Sequence, residues 1–134
     1  MTPAVVLSAH VMGLAVIRGL GEAGVPVFVG SYDKRDMGTA SRYAQEVIAL
    51  PHPERQEASF VDALLALGRR IPGAVLFPAN DAVLSAVARN REALCGVFRV
   101  ASSGWESVRK FISKQHSYES ARLAGVAGPL TSIP

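Results

Sequence analysis

Short β-branched apolar runs alternate with stretches of helical period along most of the chain. Residues 3–9, PAVVLSA, form such a run and predict a strand buried on both faces, as in a parallel sheet. Val11, Leu14, Ile17, Leu20 and Gly21 then recur at helical spacing, which predicts a helix over 11–23 closed by Gly24. VPVFVGS predicts a second strand over 25–31. The stretch 32–44 is polar with a short helical pattern. EVIALP predicts a third, shorter strand over 46–51, stopped by Pro51 and Pro53.

Phe60, Val61, Leu64, Leu65, Gly68 and Ile71 fit one face of a helix over 54–71, and a fourth strand follows over 74–78. Asn80 and Asp81 are helix-starting residues. After them Val83, Leu84, Val87, Ala88, Arg91 and Leu94 keep the helical period, predicting one helix. FRVAS predicts a fifth strand over 98–102. A short helix over 105–112, a second over 113–125 and an extended tail, VAGPLTSIP, complete the pattern. Strands alternating with helices imply an α/β fold: a Rossmann-like open, mainly parallel five-stranded sheet with helices on both faces.

The length of 134 residues fits one domain, and 49% apolar residues are enough for a core. Eleven Arg and three Lys give a net charge of +3, but they form no basic stripe, so nucleic acid is not an expected partner. Cys95 stands alone, which excludes an internal disulfide and multi-cysteine zinc sites; it is expected as a small buried residue. No run of 18 apolar residues marks a membrane span. A cytoplasmic protein without a membrane partner is the expectation, and a homodimer is compatible with the composition.

GLGEAG, residues 19–24, satisfies the G-x-G-x-x-G pattern of dinucleotide-binding folds. Its position decides against that function. It falls in the last turn of the first helix, where backbone carbonyls would face a ligand. The expected roles are close packing of the helix on the sheet at Gly21 and helix termination at Gly24. Ligands of open α/β sheets bind beyond the carboxyl ends of the strands. SAHVMG, residues 8–13, is the loop there, with Ser8, His10 and Gly13, but one glycine makes a poor phosphate cradle. Ser8 or Ala9 as a turn cap, and His10 facing solvent, are the alternative readings. Asp33, after the second strand, is placed to hold a ribose and leaves an NAD(P)-type nucleotide-binding module open; a solvated turn explains it equally.

Residues 114–131, KQHSYESARLAGVAGPLT, resemble the segment of ATP-grasp ligases that joins the first domain to the ATP-binding domains. The matching positions are Lys114, Tyr118, Ala124, Gly125, Val126, Pro129 and Thr131. Ser113 stands where that family has Asp, and Ala127-Gly128 interrupts its Val-Pro pair. GLAVIRGLGEAGVPVFVGSYD, SRYAQEVIALPHP and LFPANDAVLSAVARNREAL resemble, in the same order, parts of the pre-ATP-grasp domain of carbamoyl-phosphate-synthase-like and D-aspartate-ligase-like members. The resemblance implies an N-terminal fragment, inactive alone, of a ligase that joins a carboxylate to an amine using ATP and Mg2+. It implies a pre-ATP-grasp domain over 1–112 and a connecting helix and linker start over 113–134. It also implies that Lys114 reaches an ATP phosphate and that the metal ligands lie beyond Pro134; it identifies no catalytic residue. Ser8, His10, Asn80 and Asp81, after the first and fourth strands, are weaker candidates for substrate contact. Helix capping explains Asn80 and Asp81 as well. Arg42 with Tyr43 could hold a carboxylate, or Tyr43 could pack on the core with Arg42 at the surface.

Overall fold

The computed structural model describes residues 1–130. Five strands form one all-parallel sheet: β1 (Ala4–Leu7), β2 (Val27–Ser31), β3 (Ala44–Ala49), β4 (Val75–Pro78) and β5 (Arg99–Val100), in spatial order β3-β2-β1-β4-β5. The helices are α1 (Val11–Glu22), α2 (Glu57–Arg70), α3 (Asp81–Arg89), α4 (Arg91–Cys95), α5 (Trp105–Ile112) and α6 (Lys114–Leu123), with a 3-10 turn at Met37–Ala40. The α/β, Rossmann-like sheet expected from the periodicity is the one found.

Alternation along the strands splits the core in two. Val6, Val27 and Val29 face α1 and pack with Ile17, Val16 and Leu20. Val5, Leu7 and Leu76 face the other way, onto Phe60, Leu64, Val83, Val87 and Leu94 of α2, α3 and α4. Helices therefore cover both faces. Because β2 and β3 lie on one side of β1 while β4 and β5 lie on the other, the strand order reverses between β1 and β4. The loop after β1 enters α1 on one face and the loop after β4 enters α3 on the opposite face, which opens a crevice at their carboxyl ends.

GLGEAG sits where its position in the sequence predicts. Gly24 adopts φ +79°, Gly24 N–H donates to the Gly21 carbonyl and Val25 N–H to the Leu20 carbonyl, a Schellman termination. Ala124-Gly125-Val126 ends α6 the same way, with Gly125 at φ +76° and bonds to Arg122 and Ala121. The Ala-Gly-Val element of the ligase-like segment is thus a helix stop.

Several expectations need correction. β3 is the longest strand, not a short one, and begins at Ala44; it is an edge strand with one covered side, so its apolar signal is diluted by exposed Gln45, Glu46 and Val47. The helix after β4 is two helices. Asn90 breaks it: its side chain donates to the Ala86 carbonyl and to Glu57. Cys95 is exposed rather than buried, because it lies in the last turn of α4 on the side away from Leu94. Gly21 packs closely against the Tyr43 side chain at the start of β3, not against the sheet itself. Thr131 of the ligase-like segment lies outside the described residues.

Candidate functional site

The crevice between β1 and β4 is bridged by one side chain. Asn80 caps α3, its Oδ1 accepting the Val83 N–H at 2.9 Å. That bond fixes the amide orientation, so Nδ2 must point the other way. Nδ2 donates to Ser8 Oγ at 3.0 Å and to Tyr32 Oη at 2.8 Å. One residue thereby ties the ends of β1, β2 and β4. Ser8 is 2% exposed and holds φ +72°, unusual for a residue with a Cβ. Its carbonyl turns under α1, where only a glycine fits at position 13: a Cβ there would collide with the Ser8 carbonyl oxygen.

The loop after β2 is sewn over the same edge. Asp36 is buried and its Oδ2 accepts from the Ala9 N–H at 3.1 Å and from Ser31 Oγ at 2.9 Å. Gly38 N–H donates to the Ala9 carbonyl. Asp33 forms a turn with Arg35, whose hydrogen bonds hold the Asp33 carboxyl below its ordinary range. A carboxylate committed to Arg35 leaves the ribose role unsupported. Ser8, His10, Tyr32, Asp33, Asp36 and Asn80 line a partly open cavity of about 240 Å3.

Neither Ser8 nor Ala9 caps the turn. His10 is the N-cap of α1, is exposed and makes no side-chain capping bond. Asp81, exposed in the first turn of α3, faces a second and larger cleft of about 590 Å3 together with Leu84, Ser102, Phe111 and Lys114. Lys114 is the first residue of α6, which Ser113 caps by accepting the His116 N–H at 3.5 Å. Lys114 forms no salt bridge among the described residues. Ser102 Oγ, in the same cleft, is buried without a hydrogen-bond partner. A third cleft, lined by Met12, Val16, Ala79, Asn80 and Asp81, lies between the other two and shares residues with each.

Arg42 is not part of this edge. β2 and β3 run parallel with Val27 opposite Ala44, so Tyr43 and Arg42 lie at the amino ends of the strands. There Arg42 donates to Tyr43 Oη at 2.8 Å and covers its ring, while Tyr43 packs on the α1 side of the core. Sequence reasoning missed Tyr32 and Asp36. Tyr32 directly follows a strand on the ligand-binding edge, and the rule that selected Ser8 would have found it. Nothing in the sequence distinguishes Asp36 from its charged neighbours.

No family model and no curated protein matches the sequence. Solved structures do match. An L-amino acid ligase from Bacillus licheniformis aligns with 97% of this chain at 12% identity and a TM-score of 0.75. The biotin carboxylase domain of a single-chain bacterial carboxylase aligns with 93% at 20% identity and a TM-score of 0.61. This chain shares the fold of the aligned part of both proteins. The fold expected from the ligase-like segments is therefore the fold found. The chain spans about a third of each structure, 32% and 30% of their lengths. No helix among the described residues is long and apolar enough to cross a membrane.

Proposed function

We propose that the chain is the N-terminal domain of a longer ATP-dependent carboxylate–amine ligase, with residues 1–112 as the domain body and 113–134 leading toward the ATP-binding part. The observation that carries this reading is the match of nearly the whole chain to the L-amino acid ligase, joined to the ligase-like segment at 114–131. ATP, when bound, would supply the phosphoryl group that activates a carboxylate toward attack by an amine.

The residues present fit part of that task. Lys114 is an unpaired ammonium at the mouth of the 590 Å3 cleft, suited to neutralising phosphate charge as a mobile point charge. Ser8, Asn80 and Tyr32 form a rigid polar wall on the same sheet edge, able to position a substrate. For the magnesium ion that accompanies ATP, no group of three His, Cys, Asp or Glu side chains comes together among the described residues. Nothing favours the dinucleotide alternative, since the three glycines of GLGEAG end a helix and Asp33 is paired with Arg35.

The test uses the natural protein that contains this domain. Carboxylate- and amine-dependent release of ADP and phosphate is expected, and Lys114→Ala should raise KM for ATP at least tenfold. A protein that turns over no ATP with any amino-acid pair, or whose KM for ATP ignores Lys114, would overturn the reading.

A further inference from the structure

The cavity at the ends of β1, β2 and β4 has a defined hydrogen-bond polarity. Asn80 uses its carbonyl oxygen on Val83 and both amide hydrogens on Ser8 and Tyr32. Both hydroxyl oxygens therefore act as acceptors toward Asn80, and their own hydrogens must point elsewhere. No acceptor among the described residues takes either hydrogen. Asp36 shows the complement. Its Oδ2 accepts two donors, and its Oδ1 accepts none, although the residue is only 8% exposed. Asp33, on the same cavity, has both oxygens engaged by Arg35. Asp36 Oδ1 is thus the unclaimed anionic atom, and the hydroxyls of Ser8 and Tyr32 are the unclaimed donors.

We infer that this cavity binds the ammonium and carboxylate of a small α-amino acid, the ammonium on Asp36 and the carboxylate on the hydroxyls of Ser8 and Tyr32. One ligand bearing both a cation and an anion would pair with all three groups, which line the same cavity. The α1 amides beyond the uncapped His10 favour the same carboxylate. A volume of about 240 Å3 is on the scale of a small molecule. In the ligase reading, on which only this last assignment rests, the bound amino acid is one of the two substrates.

The experiment is a titration of the 15N-labelled 134-residue chain, without ATP, followed by the amide shifts of Ser8, Ala9, His10 and Asp36. L-alanine should give saturable shifts there. Propionate, which lacks the ammonium, and ethylamine, which lacks the carboxylate, should bind at least tenfold more weakly. Asp36→Asn retains an oxygen for Ala9 and Ser31 and should reduce L-alanine to the affinity of propionate. Ser8→Ala combined with Tyr32→Phe should reduce it to the affinity of ethylamine. Absence of saturable shifts, equal binding of propionate, or shifts centred on Lys114 would overturn the inference. The comparison of the three ligands needs no variant to fold. Because no ATP is present, failure here leaves the ligase reading standing, and failure of ATP turnover leaves this one standing.

Discussion

The sheet edge and the α5–α6 arm both carry candidate site residues, and they are built on opposite principles. At the edge, a 2% exposed serine is held by an asparagine 72 residues away, and the buried Asp36 ties Ala9 to Ser31. In the arm, α6 buries no residue at all, and Lys114 stands exposed at its start. The arm docks on α3 through the buried Val108 of α5 and through Arg89, which is bidentate to Glu57 and lies over the Trp105 ring at 4.9 Å. Recognition of a small ligand requires atoms fixed to fractions of an ångström. A point charge for a phosphate needs only reach. A cross-braced edge and an exposed helix thus stand in different parts of one short chain.

The edge should be the more sensitive region. Gly13→Ala places a methyl against the Ser8 carbonyl, backbone that cannot step aside. A loss of about 3 kcal/mol is expected from such overpacking, read as a shifted urea midpoint. An unchanged midpoint would show that the β1–α1 turn is not the tight element described. Asn80→Ala removes the α3 cap and strands the Ser8 and Tyr32 hydroxyls, at a cost of about 2 kcal/mol. Asn80→Asp separates structure from polarity. It keeps the acceptor for Val83 but offers the hydroxyls an acceptor in place of two donors, so their hydrogens turn inward. Stability should stay within about 1 kcal/mol of the parent while L-alanine binding is lost. Retained binding would break the link between hydroxyl orientation and ligand.

How much of this was legible in the sequence follows from where the signals lie. Strands buried on two faces, such as β1, announce themselves by unbroken apolar runs. β3 does not, since an edge strand with polar outward residues dilutes the pattern, and its start and length were misjudged. The helix after β4 keeps its apolar period through Asn90, whose side chain nonetheless takes up the Ala86 carbonyl and ends α3. Ser8 and Asn80 were legible as edge residues because each follows a strand. Their bond was not, because it spans β1 and β4, and pairing order is a property of the whole sheet. Arg42 is site-like by residue type alone; register places it at the far end.

The arm's attachment should be weaker and pH-dependent. The Arg89 hydrogen bonds lower the Glu57 pKa from its usual 4.5. A depressed carboxyl contributes stability above the unfolded value, and that contribution fades as pH falls through the folded one. Arg89→Ala should cost about 0.5–1 kcal/mol near neutral pH, as expected for a partly exposed pair, and less below pH 4.5. Fluorescence of Trp105, the chain's one tryptophan, should change with it. A cost that persists at pH 3 would assign Arg89's contribution to the indole stack rather than to Glu57.

Lys114 provides the smallest effect and the sharpest contrast with Ser8. It occupies the first position of α6, where the helix dipole opposes a cation, and no carboxylate among the described residues offsets that. Lys114→Ala should therefore raise stability, by about 0.3 kcal/mol, and increase helicity slightly. Lys114 lines the same cleft as Ser102, whose buried hydroxyl has no partner among the described residues. If thermal denaturation instead shows Lys114→Ala to be destabilising, the lysine is holding the arm in place. The division between a rigid edge and a free-reaching arm would then fail at the residue that defines it.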